Sequence, residues 1–163
     1  MNIEEGHQKF IQSWGQLGAS WGINRTMAQI QAVLLLSVKP MSTDDVMEKL
    51  QISRGNANMN LRDLLAWGLT YKSFIPGDRK EYYYAEKSMW VIAKKVSRER
   101  KKRELEPLVE MLNEVKTIEG NSEEVKEFKK VVASTEKIAK QAENMLDMVT
   151  KLDENIFFKW LKK

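Results

Sequence analysis

Short polar and basic side chains follow one another in the segment 53–62, which reads SRGNANMNLR. In the major groove of DNA, asparagine can form a pair of hydrogen bonds with adenine, and arginine can form a pair with guanine. Asparagine is a poor residue for a helix interior, so three in one short helix are unexpected for stability alone. The segment predicts a helix that contacts base edges, although a solvated face with a tolerated asparagine cluster is the alternative. The residues assigned to this contact are Ser53, Arg54, Gly55, Asn56, Asn58, Asn60 and Arg62.

The apolar residues of the same segment indicate which side chains face outward. Ala57 and Leu61 are the expected core positions of such a helix. With these two inside, four polar side chains are expected to lie wholly or partly outside, namely Arg54, Asn56, Asn58 and Asn60. Gly55 has no side chain, so its backbone could be approached closely by DNA.

A second basic group lies beside a turn. The run PGDR at positions 76–79 consists of residue types that favour a turn. Arg79 is its last residue, and Lys80 follows it. On a hairpin next to a DNA-reading helix, these side chains would enter the minor groove or hold phosphate. Lys72 could add a contact to the DNA backbone. A solvated hairpin with ordinary turn charges is the alternative, but the neighbouring helix favours the functional interpretation.

Local signals set the order of elements around these residues. Ser42 precedes acidic residues and predicts the start of one helix, and Ser53 predicts the start of the next. Gly68 predicts the stop of that second helix. The stretches 69–75 and 80–85 have strand character on either side of the turn. Helix, short turn, helix and β-hairpin are the layout of a winged helix-turn-helix.

Helical patterns precede this segment. One apolar stripe comprises Ile3, Phe10, Trp14, Leu17 and Trp21. Gly15 and Gly18 lie on a neighbouring line, where a missing side chain would allow close approach of another backbone. A second helix is expected from about Arg25 to Leu36, with Asn24 as its N-cap, and its apolar end predicts a central position.

Helical patterns also follow the segment. The run 94–103, KKVSRERKKR, could track phosphates, but a solvated helix is the slightly favoured interpretation. Pro107 predicts a kink or a new helix start, and Ser122 predicts the cap of a last long helix. The apolar stripe of that helix is broad, which fits burial against several helices better than a two-stranded seam. A short amphipathic helix is expected from Ile156, Phe157, Trp160 and Leu161.

Composition narrows the function classes. The chain has 163 residues, no cysteine and a formal net charge of +4. No apolar run is long enough to span a bilayer, and the N-terminal residues lack the layout of a signal peptide, so we expect a cytoplasmic protein without a membrane partner. No nucleophile motif, phosphate-binding loop or metal-ligand spacing is present, and His7 lies on an apolar stripe. We therefore expect no enzyme activity, no cofactor and no metal.

Three stretches of the sequence resemble a known family. They are GASWGINRTMAQIQAVLLLS, SRGNANMNLRDLLAWGL and PGDRKEYY. Together they resemble the GbsR-like branch of the MarR transcriptional regulators over about residues 10–112. The resemblance implies a winged-helix homodimer whose terminal helices form a dimerisation lobe. It also implies DNA contacts by the matched recognition helix and by Arg79 and Lys80.

The same resemblance implies a small-molecule effector. Some GbsR-like proteins resemble sensors of choline or related quaternary ammonium compounds. Such a cation requires an aromatic cage, for which Trp14, Trp21 and Trp90 are the candidates by position. Tryptophans in a small domain are more often core residues, so a core role is the alternative.

These observations predict a mainly α fold with a small β-hairpin wing. Residues 22–90 are expected to form the winged helix-turn-helix, and residues 1–21 and 91–163 a helical dimerisation region. The predicted function is a homodimeric DNA-binding transcriptional regulator, a repressor, that reads a pseudo-palindromic double-stranded site. The alternatives are a winged helix used only for protein–protein contact and a regulator without a small-molecule effector.

Overall fold

The computed structural model describes residues 1–152, which fall into two compact units. The first unit is Met1–Ile92, and the second begins at Ala93. In chain order the elements are α1 (Ile3–Ser20), α2 (Arg25–Leu36), β1 (Met41–Ser42), α3 (Thr43–Leu50), α4 (Arg54–Ala66), β2 (Thr70–Ser73), β3 (Tyr82–Ala85), α5 (Met89–Arg100), a π-helical turn (Lys101–Leu105), α6 (Glu106–Val115) and α7 (Glu123–Lys151). The helix predicted around residues 156–161 lies outside the described residues.

Helix α2 forms the centre of the first unit, as its sequence predicts. The Asn24 side chain accepts a hydrogen bond of 3.1 Å from the Met27 amide and so caps the helix. Apolar residues are buried around its circumference, including Ile30 and Leu34, which are almost fully enclosed. Elements α1, α3, α4 and β3 all contact α2. A helix that is apolar on every side is stable in water only when it is covered in this way.

The glycine line of α1 lies against α2, and of the apolar stripe Trp14 also packs there. A Cβ atom built on Gly18 would stand 2.6 Å from Ala28 Cβ, and one built on Gly15 would stand 2.6 Å from Gln29 Cγ. The two helix backbones therefore approach each other closely, as the missing side chains predict. This packing leaves much of the apolar stripe on the surface of the single chain, including Leu17 and Trp21.

The predicted helix-turn-helix is α3 and α4. Ser42 and Asp45 form a reciprocal capping box at the start of α3. Gln51 adopts the left-handed conformation with φ of 53° and turns the chain sharply, after which Ser53 caps α4. Gly68 follows α4 with φ of 67°, in agreement with its predicted role as a stop.

A three-stranded antiparallel sheet completes the first unit, with strand order β1-β3-β2. The hairpin strands β2 and β3 pair Thr70 with Ala85 and Ser73 with Tyr82. Both are shorter than predicted, because the loop between them extends from residue 74 to residue 81. Strand β1 was not predicted. Two residues are too few to show the alternating pattern of a strand, and they form one only because they pair with β3. The order of helices and strands is that of a winged helix.

The second unit packs α6 against α7. Its buried residues are Leu112, Val132 and Ala139. Pro107 has no amide hydrogen to donate, and the backbone before it forms the π-helical turn, in which the Glu106 amide donates to the Lys101 carbonyl. A new helix therefore begins near Pro107, as predicted, and Ser122 caps α7 through the Val125 amide.

Only one side of the broad stripe on α7 is covered within the chain. Val132 and Ala139 are buried, whereas Val131, Ile138 and Met145 are 56%, 64% and 67% exposed. The sequence pattern predicts burial of the stripe without deciding whether it packs within the chain or across a dimer, and this row is not covered within the chain. The seven-residue spacing of the exposed row is the repeat of a coiled-coil seam.

The close contact of α1 with α2 predicts opposite effects of two alanine substitutions in α1. Gly18→Ala should lower the free energy of unfolding by about 1–3 kcal/mol, because the new methyl group meets Ala28 and must push the helices apart. Gly6→Ala meets only Met1 Sδ at 3.9 Å and should raise it by about 0.5–1 kcal/mol through helix propensity. Urea denaturation followed by circular dichroism measures both, and a stable Gly18→Ala variant would contradict this packing.

Candidate nucleic-acid interface

The start of α4 presents its first turn to solvent. The Ser53 hydroxyl accepts a hydrogen bond of 3.3 Å from the Asn56 amide and fixes the helix start. Ser53, Arg54 and Gly55 are exposed, and Asn56 and Asn58 are half-buried. A Cβ atom on Gly55 would meet nothing within 4 Å, so the packing of this unit gives no reason for glycine at that position. Close approach of another molecule to the backbone at Gly55 would explain the glycine.

Asn60 is not available to DNA, and the prediction that it faces outward is wrong. Its side chain is 0% exposed, and its Nδ2 donates to the Asn56 carbonyl at 2.8 Å and to Asn56 Oδ1 at 2.7 Å. The reason is helical geometry, because position 60 lies three residues after Ala57 and four before Leu64, both of which are buried. The same spacing could have revealed this from the sequence. Met59, which was not singled out, is exposed instead.

The loop between β2 and β3 is organised by Asp78. One carboxylate oxygen of Asp78 accepts a hydrogen bond from the Lys80 amide at 2.9 Å, and the other accepts one from the Tyr82 hydroxyl at 2.7 Å. These bonds, the one from Tyr82 first, hold the pKa of Asp78 below its ordinary value. Gly77 turns the chain with φ of 85°. Arg79 and Lys80 are thereby presented at the exposed end of the hairpin.

Lys72 is engaged within the hairpin. Its Nζ lies 2.5 Å from Glu81 Oε1, and the Tyr83 hydroxyl donates to the other oxygen of Glu81 at 2.9 Å. The hydrogen bond with Glu81 raises the pKa of Lys72. A phosphate contact by Lys72 would therefore compete with this pair. Arg62, on the exposed side of α4, donates to the Asn58 carbonyl at 3.4 Å.

Asp44 connects α4 and the hairpin loop. Its Oδ1 lies 2.5 Å from Arg54 Nη2, and its Oδ2 lies 3.4 Å from Lys80 Nζ. The hydrogen bond from Arg54, followed by that from Lys80, lowers the pKa of the Asp44 carboxyl. Arg54 and Lys80 thus lie around one carboxylate although they are distant in sequence. Sequence reasoning treated Asp44 only as one of the acidic residues that follow Ser42 at the start of α3, and missed this role because nothing local relates the three positions.

Acidic partners neutralise much of the basic run 94–103. Arg100 binds both carboxylate oxygens of Glu104, and Arg103 pairs with Glu99 at 3.1 Å. Lys101 lies 2.8 Å from Asp147 and 3.1 Å from Glu143 of α7. The bond to Asp147, then that to Glu143, raises the pKa of Lys101. These pairs favour the solvated helix over a phosphate-binding track.

The three tryptophans proposed for an effector pocket have different surroundings. Trp14 donates its Nε1–H to Gln31 Oε1 at 3.2 Å and stacks on Phe10 with ring centroids 5.4 Å apart. Trp21 is 55% exposed at the end of α1, and Trp90 is half-buried in α5. Three surface cavities of the first unit, of about 500, 210 and 600 Å³, have no tryptophan in their walls. The aromatic cage therefore stays a prediction.

Two other kinds of feature are absent from residues 1–152. No group of three or more histidine, aspartate or glutamate side chains there is arranged to hold a metal ion. No helix in the same range combines the length and the apolar character needed to cross a membrane.

Comparisons with known proteins show a shared fold. No family model and no curated protein matches the sequence. The structure is similar to the crystal structure of a transcriptional regulator, with a TM-score of 0.56 and 17% sequence identity. The similarity covers 88% of this chain and 99% of the other. At this level of identity the similarity shows a shared fold alone.

The burial of Asn60 predicts how aspartate is tolerated along α4. Asn60→Asp should lower the free energy of unfolding at neutral pH by about 3 kcal/mol or more, because a carboxylate without a cationic partner would be enclosed. Burial raises the pKa of that carboxyl in the folded state above its unfolded value of about 3.9. The loss should therefore shrink as the pH falls through the folded-state pKa. Urea denaturation at pH 7 and at lower pH measures it.

Asn58→Asp is the matched control for this substitution. It adds the same charge to the same helix, at a half-buried position. It should cost much less stability and show a weaker dependence on pH. Equal losses in the two variants would contradict the enclosed position of Asn60.

Proposed function

We propose that this protein is a sequence-specific, DNA-binding transcriptional regulator. The observation that carries the proposal is the joint presentation of Arg54 and Lys80, 3.4 Å or less from one carboxylate of Asp44. The start of a helix and the tip of a hairpin together form the surface with which winged helices contact DNA. The fold shared with a transcriptional regulator and the sequence resemblance to the GbsR-like branch of the MarR regulators support it.

The proposed contacts divide by chemistry. Base edges in the major groove would be read by Arg54, Asn56 and Asn58 from the first turns of α4. Ser53 and Gly55 would let a phosphate approach the exposed N-terminus of the helix. Phosphate or minor-groove contacts are assigned to Arg62, Lys72, Arg79 and Lys80. Asn60 has an indirect role, since it holds the side chain of Asn56.

We further propose that the protein acts as a homodimer. Apolar residues exposed on α7 repeat every seven residues at Val131, Ile138 and Met145, and α1 exposes Leu17 and Trp21. A second copy of the chain would cover these rows, and a twofold pair would present two recognition helices to half-sites roughly 34 Å apart. Binding at a promoter would then repress transcription by blocking polymerase.

A small cationic effector such as choline is a further part of the proposal. It rests on the sequence resemblance, and Trp14, Trp21 and Trp90 are its candidate ligands. A change of DNA affinity on addition of choline separates this version from a regulator that has no effector. A winged helix used only for protein contact is the other alternative, and the exposed Arg54, Arg79 and Lys80 disfavour it.

Substitutions in α4 and in the hairpin loop should change DNA binding in different ways. Arg54→Ala should cost about 1–3 kcal/mol on a site selected from random DNA and relax the preference at one base position. Lys80→Ala should weaken all sequences alike and lower the slope of affinity against salt by about one. Lys9→Ala removes the same charge from exposed α1 and is the control. Fluorescence anisotropy measures all three, and the contact assignment is wrong if Arg54→Ala and Lys80→Ala bind like the control.

The dimer proposal predicts a second, separate effect. Ile138→Glu places a charge in the exposed row of α7 and should convert the dimer to a monomer, since a charged seam position opposes burial. Lys129→Glu is the control. Position 129 precedes position 138 by nine residues, which is two and a half turns and places it on the opposite face of the helix, so this variant should remain a dimer. Sedimentation equilibrium measures the masses. A monomeric wild-type protein would refute the dimer and leave the assignment of DNA contacts untouched.

A further inference from the structure

Asp44 contacts both parts of the proposed interface. It lies in the first turn of α3, between Arg54 at the start of α4 and Lys80 in the hairpin loop. Each oxygen of its carboxylate faces one of the two cations. The side chains of all three are substantially exposed, with relative accessibilities of 45% for Asp44, 61% for Arg54 and 59% for Lys80.

The local structure of α3 does not require this carboxylate. The neighbouring Asp45 accepts the amide and hydroxyl hydrogens of Ser42 at 2.7 Å and so completes the capping box. Asp44 contributes a charge near the positive end of the helix dipole, which any acidic residue in the first turn supplies. The two contacts that only Asp44 makes are those with Arg54 and Lys80.

A carboxylate and a DNA phosphate compete for the same donors. A guanidinium binds either anion through parallel hydrogen bonds, and an ammonium group binds either as a point charge. DNA of any sequence offers phosphates, so its binding to Arg54 and Lys80 must displace Asp44. A site with guanine opposite Arg54 compensates for the displacement with two hydrogen bonds to the base, whereas other sequences do not.

We infer that Asp44 is an internal counter-ion that lowers the affinity of this surface for DNA. The inference rests on the proposed DNA-binding function. Asp44 holds both cations in place before DNA arrives, and it leaves them when the phosphates of DNA replace its charge.

The test measures binding of a labelled duplex of random sequence by wild type and by five variants over a range of salt concentrations. Asp44→Asn removes the charge with little change of shape, and Asp44→Glu keeps it. Glu48→Gln removes one charge from an exposed position of the same helix and is the matched control. The triple variant Asp44→Asn, Arg54→Ala, Lys80→Ala removes the charge without the cations, and its reference is the double variant Arg54→Ala, Lys80→Ala. Thermal unfolding of each variant verifies that it is folded.

Asp44→Asn should bind random DNA about three- to ten-fold more tightly than wild type, since two exposed ion pairs no longer compete. The gain should exceed that of Glu48→Gln, diminish as salt screens the charges, and be absent in Asp44→Glu. It should also vanish when the triple variant is compared with the double variant. That pattern supports the inference.

Two outcomes would overturn it. Equal gains for Asp44→Asn and Glu48→Gln, or a gain that persists without Arg54 and Lys80, would show a general effect of net charge. In that case the proposed function still stands if the double variant binds less tightly than wild type. No DNA binding by any variant would overturn both the inference and the proposed function.

Discussion

The first unit depends on the need to cover α2. This helix is apolar on all sides, and its residues Ile30 and Leu34 are almost completely removed from water. No single neighbour can enclose such a helix, so α1, α3, α4 and β3 each cover part of it. The close approach of α1 requires Gly15 and Gly18. The position of α4, which carries the candidate recognition residues, therefore follows from packing around α2 rather than from any property of its own polar face.

Turn chemistry then fixes the direction of the functional elements. Gln51 reverses the chain in a left-handed conformation, and Ser53 starts α4 immediately afterwards. On the hairpin, Asp78 organises the loop that carries Arg79 and Lys80. Because Asp45 completes the capping box of α3, the carboxylate of Asp44 can face both Arg54 and Lys80. Short-range hydrogen bonds thus fix the local direction of each segment, and packing brings the three segments onto one surface.

The number of basic residues in a segment does not show where this protein binds a polyanion; the acidic partners around each basic residue do. The basic run 94–103 looks like the strongest polyanion site in the sequence, yet carboxylates of the same chain pair with Arg100, Lys101 and Arg103. The less conspicuous Arg54 and Lys80 share a single carboxylate, and both remain exposed. Two cations that share one carboxylate leave a net positive charge, which a phosphate can neutralise. The smaller cluster is therefore the better candidate for binding DNA.

The sequence alone determined the features that arise from short-range interactions. The caps at Asn24, Ser42 and Ser53, the glycine stop at Gly68 and the new helix near Pro107 were all predicted, because each depends on residues within one turn of the chain. The DNA contacts of Arg54, Arg79 and Lys80 remain a proposal on top of that framework.

Tertiary structure decided what depends on distant residues. It made β1 a strand by pairing it with β3, and it brought Lys87 to the carbonyls of Leu34 and Ser37 at the end of α2. It also brought Arg54 and Lys80 to Asp44. Residues so far apart in sequence leave no joint period or motif, because only the packing of the folded chain brings them within reach of a hydrogen bond.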